Sequence, residues 1–166
     1  MELVPATRDD KPVLLALNEY YTYDFSDLLG LDVGEGGCFG GARLDRHFED
    51  PRCHPFLIRV DGKLAGFALH EGRSRLTRDE RVNDVAEFFV LRKYRKHAVG
   101  ARAAFALFDR FAGPWEVRQV RANVGATAFW RKVIERYTRG ACEELEWDDE
   151  RFHGVVQRFA GTGSGV

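Results

Sequence analysis

An excess of either charge is the first thing the 166-residue sequence lacks: 25 Lys and Arg stand against 26 Asp and Glu, a formal net charge of −1. A near-neutral chain exerts no global pull on nucleic acid or anionic lipid, so any polyanion site has to be a local concentration of charge. Cysteine is also scarce. Cys38, Cys53 and Cys142 are odd in number and scattered, which fits reduced thiols better than a disulfide framework. The set Cys38, His47, Cys53 and His54 matches no zinc spacing, and no metal site is expected. No apolar run approaches the ~20 residues of a bilayer span, and MELVPATRDDK carries neither a basic leader nor an apolar signal core. The expectation is a soluble cytoplasmic protein that binds neither membrane nor nucleic acid. Two phosphate motifs are missing as well: there is no G-x-x-x-x-G-K-[ST], and no G-x-G-x-x-G follows a strand. NTPase and dinucleotide readings therefore have no support. The glycine-rich stretch GEGGCFGG from Gly34 to Gly41 has no Lys-Ser/Thr pair and reads as a flexible loop.

What the chain has is a composition that is 45% hydrophobic and 13% aromatic, enough to bury one core. A single domain is expected over residues 1–160, with GTGSGV (161–166) as a flexible tail. Glu2 to Pro5 reads as a strand. Thr7 and Asp10 resemble a capping box ahead of a helix whose apolar side is Val13, Leu14, Leu17 and Tyr20 or Tyr21. The segment from Tyr20 to Gly41 mixes aromatics, acids and six glycines from Gly30 onward and predicts a short helix followed by a mobile loop. A further helical turn covers Ala42 to Glu49 before Pro51. Phe56–Val60 and Lys63–His70, joined by Asp61-Gly62, predict a type I′ hairpin. A third strand spans Val82 to Leu91. Ala101, Ala104, Phe105, Phe108 and Phe111 recur at helical spacing up to Gly113-Pro114, which is expected to end that segment. WEVRQV is the next strand. Ala126, Phe129, Trp130, Val133, Ile134 and Tyr137 then line one helical stripe, and two strands close the chain around Asp148-Asp149. This order predicts an α+β domain, with a mixed, mostly antiparallel central sheet flanked by helices on both faces.

Positive charge is concentrated in one place. Between Phe88 and Phe108 lie Arg92, Lys93, Arg95, Lys96 and Arg102, with no acid among them. These cations sit at the start of a helix, where the macrodipole is already positive and basic side chains are disfavoured. An external anion resolves the conflict. Small residues at Ala98, Gly100 and Ala101 would let a phosphate reach the unpaired N–H groups of the first turn.

FFVLRKYRKHAVGARAA resembles the coenzyme-A motif of the GNAT superfamily of N-acetyltransferases, [RQ]-x-x-G-x-[GA], which lies between an apolar strand and a helix. Arg95-Lys96-His97-Ala98-Val99-Gly100 falls on it, and NVGATAFWRKVIERY is similar to the family's N-x-x-A-x-x-[FL]-[YW] helix through Asn123, Ala126, Phe129 and Trp130. Three positions depart from the pattern: Ala98 replaces the first glycine, Trp130 stands where many relatives have a tyrosine acid, and Ile134-Glu135 replaces a Gly-aromatic pair. The resemblance implies an acetyl-CoA-dependent N-acetyltransferase acting by direct attack in a ternary complex. It implies that Arg95 and the amides from Lys96, His97, Ala98, Val99 and Gly100 to Ala101 hold the pyrophosphate. Backbone groups of Phe88, Phe89 and Val90 would pair with the pantetheine arm, and Asn123, Phe129 and Trp130 would complete the donor site. Glu87 is the candidate base, with Tyr94 or Tyr137 as candidate acids. From Pro12 to Ala42 there are acids but no Lys or Arg; Tyr20, Tyr21, Tyr23, Asp24 and Asp27 are the candidates for drawing in a cationic amine, either a small molecule or a peptide. The alternative is a GNAT-like module that binds acetyl-CoA or a partner without turnover. Homodimers are common among proteins of this kind, although no stretch of this sequence shows one.

Overall fold

The computed structural model describes residues 1–95 and 97–163. In chain order the elements are β1 (Glu2–Pro5), α1 (Lys11–Leu29), α2 (Asp45–Glu49), β2 (Cys53–Val60), β3 (Lys63–Glu71), β4 (Asn83–Val90), α3 (Val99–Phe108), β5 (Ala112–Val120), α4 (Val124–Thr138), β6 (Cys142–Asp149) and β7 (Phe152–Thr162), with 3-10 turns at Arg8–Asp10 and Arg92–Tyr94. The seven strands form one sheet in the order β1-β2-β3-β4-β5-β7-β6. Among the described residues every pairing is antiparallel except β4 with β5. Asp61 and Gly62 take φ values of 50° and 73°, the positive pair that a type I′ turn demands, so the hairpin forms as its sequence predicts.

Alternation along the strands sends side chains into two cores. On one face Phe56, Ile58, Val85 and Val90 pack with Val99, Ala103, Ala104, Leu107 and Phe108 of α3 and Trp130, Val133 and Ile134 of α4. On the other, Leu57, Phe67, Leu69, Ala86 and Phe89 pack with Leu14 and Leu17 of α1. Burying a Leu or Phe side chain contributes about 1.5–3 kcal/mol, so both helix layers are anchored by burial.

Three expectations are corrected. Helix α1 does not stop near Tyr20: it runs 19 residues to Leu29, and Gly30, left-handed at φ 63°, caps it by donating to the Ser26 carbonyl. Leu14, Leu17, Tyr21, Phe25 and Leu28 keep a three-or-four spacing through that stretch, a periodicity masked by the acids between them. Helix α3 ends at Phe108, and Gly113-Pro114 lies inside β5. Its proline is opposite Ala160 near the start of that strand, where a missing N–H does least harm. Finally, Gly161 and Thr162 belong to β7 and pair with Gly113 and Ala112, while residues 164–166 lie outside the described residues. No helix among the described residues is long and apolar enough to cross a membrane.

The sheet is broken at its parallel pair. β4 and β5 are registered only over Asn83–Val85 and Trp115–Val117; beyond that they part, leaving the β5 side of Ala86–Val90 without a strand partner. At the same place β4 bulges: Leu69 faces Glu87 and His70 faces Val85, so Ala86 has no opposite number on β3.

Candidate active site

The parting of β4 from β5 opens two connected hollows. One, of about 820 Å³, is bordered by Phe88, Phe89 and Val90 of β4, the start of α3 from Ala98 to Ala101, Arg92 and Arg95, and Asn123 and Phe129 of α4. The other, of about 430 Å³, is bordered by Glu87, Arg75, Arg118 and Gln119. Tyr21, Phe25, Phe88, Asn123, Ala126 and Trp130 border both. These six residues form the wall that the two hollows share.

The far end of the first hollow carries a helix N-terminus and two guanidiniums. Ala98 adopts φ 55° and ψ 11° as the residue preceding α3. This left-handed conformation turns the chain sharply into the helix and strains a non-glycine residue by about 1–2 kcal/mol. The first-turn N–H groups of α3 have no carbonyl within the helix to bond and concentrate positive potential there. Gly100 is needed for packing: a Cβ in its place would lie 3.1 Å from two atoms of the Phe129 ring. Asn123 caps α4 by accepting from the Ala126 N–H at 3.0 Å, which brings a second helix N-terminus to the same wall. Arg95 donates through Nε to the Val90 carbonyl at 2.6 Å, so its guanidinium is tied to the end of β4. The Asp24 carboxylate of α1 meets both guanidiniums, accepting from Arg92 at 2.9 Å and from Arg95. The protein thus places its own carboxylate against the two guanidiniums beside the start of α3.

The second hollow rests on buried ion pairs. Glu71, Asp84 and Glu116 are almost fully buried. Arg118 donates to Asp84 at 2.8 Å, Arg158 to Glu116 at 3.0 Å, and Arg75 to Glu71 at 3.1 Å. Burial works against the Arg75 charge, but Glu87, Glu71 and Asp84 outweigh it and raise its pKa. Glu87 reaches this floor because of the bulge. Strict alternation would send it to the α4 face, whereas the extra residue keeps both Ala86 and Glu87 on the α1 face. There one Glu87 oxygen accepts from the Tyr21 hydroxyl at 2.6 Å and the other from Arg75 at 3.3 Å. The Tyr21 ring is held by edge contacts to Phe25, Phe67 and Phe89 at centroid distances of 4.8, 5.8 and 5.8 Å. Burial, and then the facing Glu87 charge, push the Tyr21 phenol well above its ordinary pKa.

A basic turn thus leads into α3 beside the break between the parallel strands β4 and β5. Residues 16–134 match the Acetyltransferase (GNAT) family, well over half of the chain. The chain belongs to the GNAT family. Its fold agrees with solved structures of low sequence identity: an acetyltransferase from Thermus thermophilus (15% identity, 96% of each chain covered, TM-score 0.67) and a GNAT-family acetyltransferase from Staphylococcus aureus (12%, 96% of this chain and 98% of that one, TM-score 0.60). The aminoglycoside acetyltransferase AAC(6')-Ib, solved in complex with coenzyme A, also shares it (12%, 95% of this chain and 93% of that one, TM-score 0.65). No curated protein matches the chain in sequence.

Against this GNAT frame, the structure brings Phe88, Phe89, Val90, Arg95, Ala98, Val99, Gly100, Ala101, Asn123, Phe129 and Trp130 to the first hollow, and Glu87 to the second. His97 is exposed and borders neither hollow; Lys96 lies outside the described residues. Tyr94 and Tyr137 are not brought to the break. Lys93 lies over the Tyr94 ring, and the Tyr137 hydroxyl donates to Asp109 at 2.8 Å and receives the Thr162 N–H at 3.2 Å. Among the α1 candidates only Tyr21 and Asp24 border the hollows; Tyr20 and Tyr23 are 59% and 63% exposed, and Asp27 is also on the exposed side. The second hollow is bordered by one carboxylate, Glu87, together with Arg75 and Arg118, in place of a run of acids from α1. Those two arginines had no signal in sequence: Arg75 reaches Glu87 from the loop between β3 and β4, and Arg118 borders the same hollow from β5.

Proposed function

We propose that the protein transfers an acetyl group from acetyl-CoA to a primary amine of a small molecule or peptide by direct attack in a ternary complex. The observation that carries the reading is the pair of hollows that meet at Tyr21, Phe88 and Trp130, one ending at a helix N-terminus flanked by guanidiniums, the other holding a carboxylate. The α3 first turn fits a diphosphate in charge and in room, with no side chain larger than valine from Ala98 to Ala101. Arg95 and Arg92 would add charge-assisted hydrogen bonds once Asp24 releases them. The unpaired edge of β4 from Phe88 to Val90 would hold the pantetheine arm as a neighbouring strand would. When bound, acetyl-CoA supplies the activated acetyl group and a thiolate leaving group. Glu87 accepts the proton that the attacking amine must lose. We further propose that the chain works as one domain in the cytoplasm.

Thermal melting tests the donor half. Acetyl-CoA at 100 times its dissociation constant adds about 2.7 kcal/mol, roughly 5–10 °C for a domain of this size. Arg95→Glu should abolish the shift. Thiol release with polyamines, aminoglycosides and peptides tests the transfer. A second reading, an acetyl-CoA-binding module without turnover, is favoured by Trp130, which fills the junction edge-on to Phe88 at 5.0 Å. A melting shift without thiol release across that panel would select it.

A further inference from the structure

We propose that Tyr21 is the acid of the transfer and forms a proton relay with Glu87. The inference rests on the acetyl-transfer reading above and adds a residue to it.

Breaking a C–S bond leaves an electron pair on sulfur that a nearby proton must meet. Six residues border both hollows, and their chemistry narrows the donor. The side chains of Phe25, Phe88 and Ala126 carry no polar hydrogen. Asn123 uses its side-chain oxygen to cap α4, and neither its amide nor the Trp130 indole titrates in water's range. Of the six, Tyr21 alone has an ionisable hydroxyl, and its hydrogen already points along a 2.6 Å bond to Glu87. Glu87 borders only the second hollow, where an amine would arrive. Tyr21 also lines the first. The two groups therefore stand in series across the break, base on the acceptor side and acid at the junction.

From a neutral amine onward, the proton balance closes without solvent. An amine that enters neutral, its ammonium proton already left to water, bonds through nitrogen to the carbonyl carbon, the C–S bond breaks, and its electron pair leaves with sulfur. The nitrogen's surplus proton goes to Glu87. Tyr21 gives its hydroxyl proton to sulfur and recovers one from Glu87, so one proton has moved from nitrogen to sulfur and both side chains end as they began. The electrostatics favour this sequence. Part of what holds the phenol's proton is the negative charge on Glu87, and that charge disappears when Glu87 is protonated, so Tyr21 becomes a better acid at the moment the sulfur departs. Arg75, bonded to the other Glu87 oxygen at 3.3 Å and anchored by Glu71, keeps the carboxylate facing the phenol.

Tyr21→Phe tests the assignment, because it deletes the hydroxyl and keeps the ring that packs on Phe25, Phe67 and Phe89. With an amine that the unaltered protein acetylates, Tyr21→Phe and Glu87→Gln should each lower kcat by about 10²-fold or more, with KM for acetyl-CoA and the melting shift unchanged. The double variant should fall no further than the slower single one, as expected for groups acting as a unit. In H2O–D2O mixtures the unaltered protein should show a bowed dependence of kcat on deuterium fraction, and Tyr21→Phe a straight one. Turnover in Tyr21→Phe within twofold of the unaltered protein, losses that multiply in the double variant, or a bowed dependence in Tyr21→Phe, which would make Tyr21 only a positioning residue, each overturns the relay and leaves acetyl transfer standing. If the unaltered protein binds acetyl-CoA but releases no thiol, acetyl transfer fails and the relay falls with it.

Discussion

Asp24→Asn should tighten coenzyme A binding while loosening the free protein. Asp24 is 16% exposed and accepts from Arg92 at 2.9 Å and from Arg95, whose side chains are 74% and 42% exposed. Pairs this open to solvent are worth about 0.2–1 kcal/mol each, so the two together stabilise the free state by roughly 1 kcal/mol. A diphosphate that takes over these guanidiniums has to displace the carboxylate and forfeit that energy. Asparagine keeps the shape and gives up the charge. Coenzyme A affinity should rise about fivefold, since 1.4 kcal/mol is tenfold, and the ligand-free Tm should fall by about 2–4 °C. Titration calorimetry at low and high salt reads the first effect, which should shrink as salt screens the exposed pairs; thermal melting reads the second. Asp27→Asn, on the exposed side of the same helix, serves as the control and should change neither. Weaker coenzyme A binding by Asp24→Asn would refute the competition and show instead that the carboxylate holds the two guanidiniums in place for the ligand.

Two further outcomes follow from backbone strain and burial. Ala98→Gly relieves a left-handed alanine at φ 55°, worth about 1–2 kcal/mol, against about 0.4–1 kcal/mol of added unfolded-state entropy. A Tm higher by about 2–4 °C is expected for a net gain near 1 kcal/mol, and a lower Tm would contradict the strain. His70 stacks on Phe111 at 3.8 Å and bonds Asn83 through Nε2 at 2.8 Å, and burial pushes its pKa down to about 4. The unfolded chain therefore binds more protons than the fold between about pH 6.5 and 4, so the neutral ring's contribution is whole above that window and is lost as pH falls through it. The loss should approach about 3 kcal/mol at 1.36 kcal/mol per pH unit. Urea unfolding at pH 7, 5.5 and 4.5 should show a drop in the unaltered protein that is smaller in His70→Gln; equal slopes would contradict it.

Much of the architecture was legible because it rests on local rules. Asp61-Gly62 announces a type I′ turn, and the run of small residues after Arg95 announces a helix start that an anion can approach. Two local signals misled. The acids and glycines after Tyr20 hid an apolar stripe that continues through Phe25 and Leu28. Gly113-Pro114, which breaks a helix, turned out to be tolerated at the start of a strand. The site was legible where its lining comes from continuous segments, Phe88 to Val90 and Ala98 to Ala101, since motif and periodicity place these together. It was illegible where side chains far apart in sequence meet. Tyr21 and Glu87 are 66 positions apart, and nothing in their neighbours says that a one-residue bulge rotates Glu87 onto the helix α1 face. Asp24 on Arg92 and Arg95 is of the same kind: acid and base are visible singly, their pairing only in three dimensions.

The gap beside β4 has a consequence for how this protein avoids its own kind. An unsatisfied ribbon of main chain ordinarily recruits whatever extended peptide drifts past, which is how sheets from separate molecules fuse. Here that ribbon lies inside the sheet, walled by α1 on one side and α4 on the other. A strand pairing there would have to fit its side chains between residues of α1 and α4, whereas a slender chain without side chains would not. The fold thereby keeps the adhesiveness of an open strand and restricts it to narrow guests.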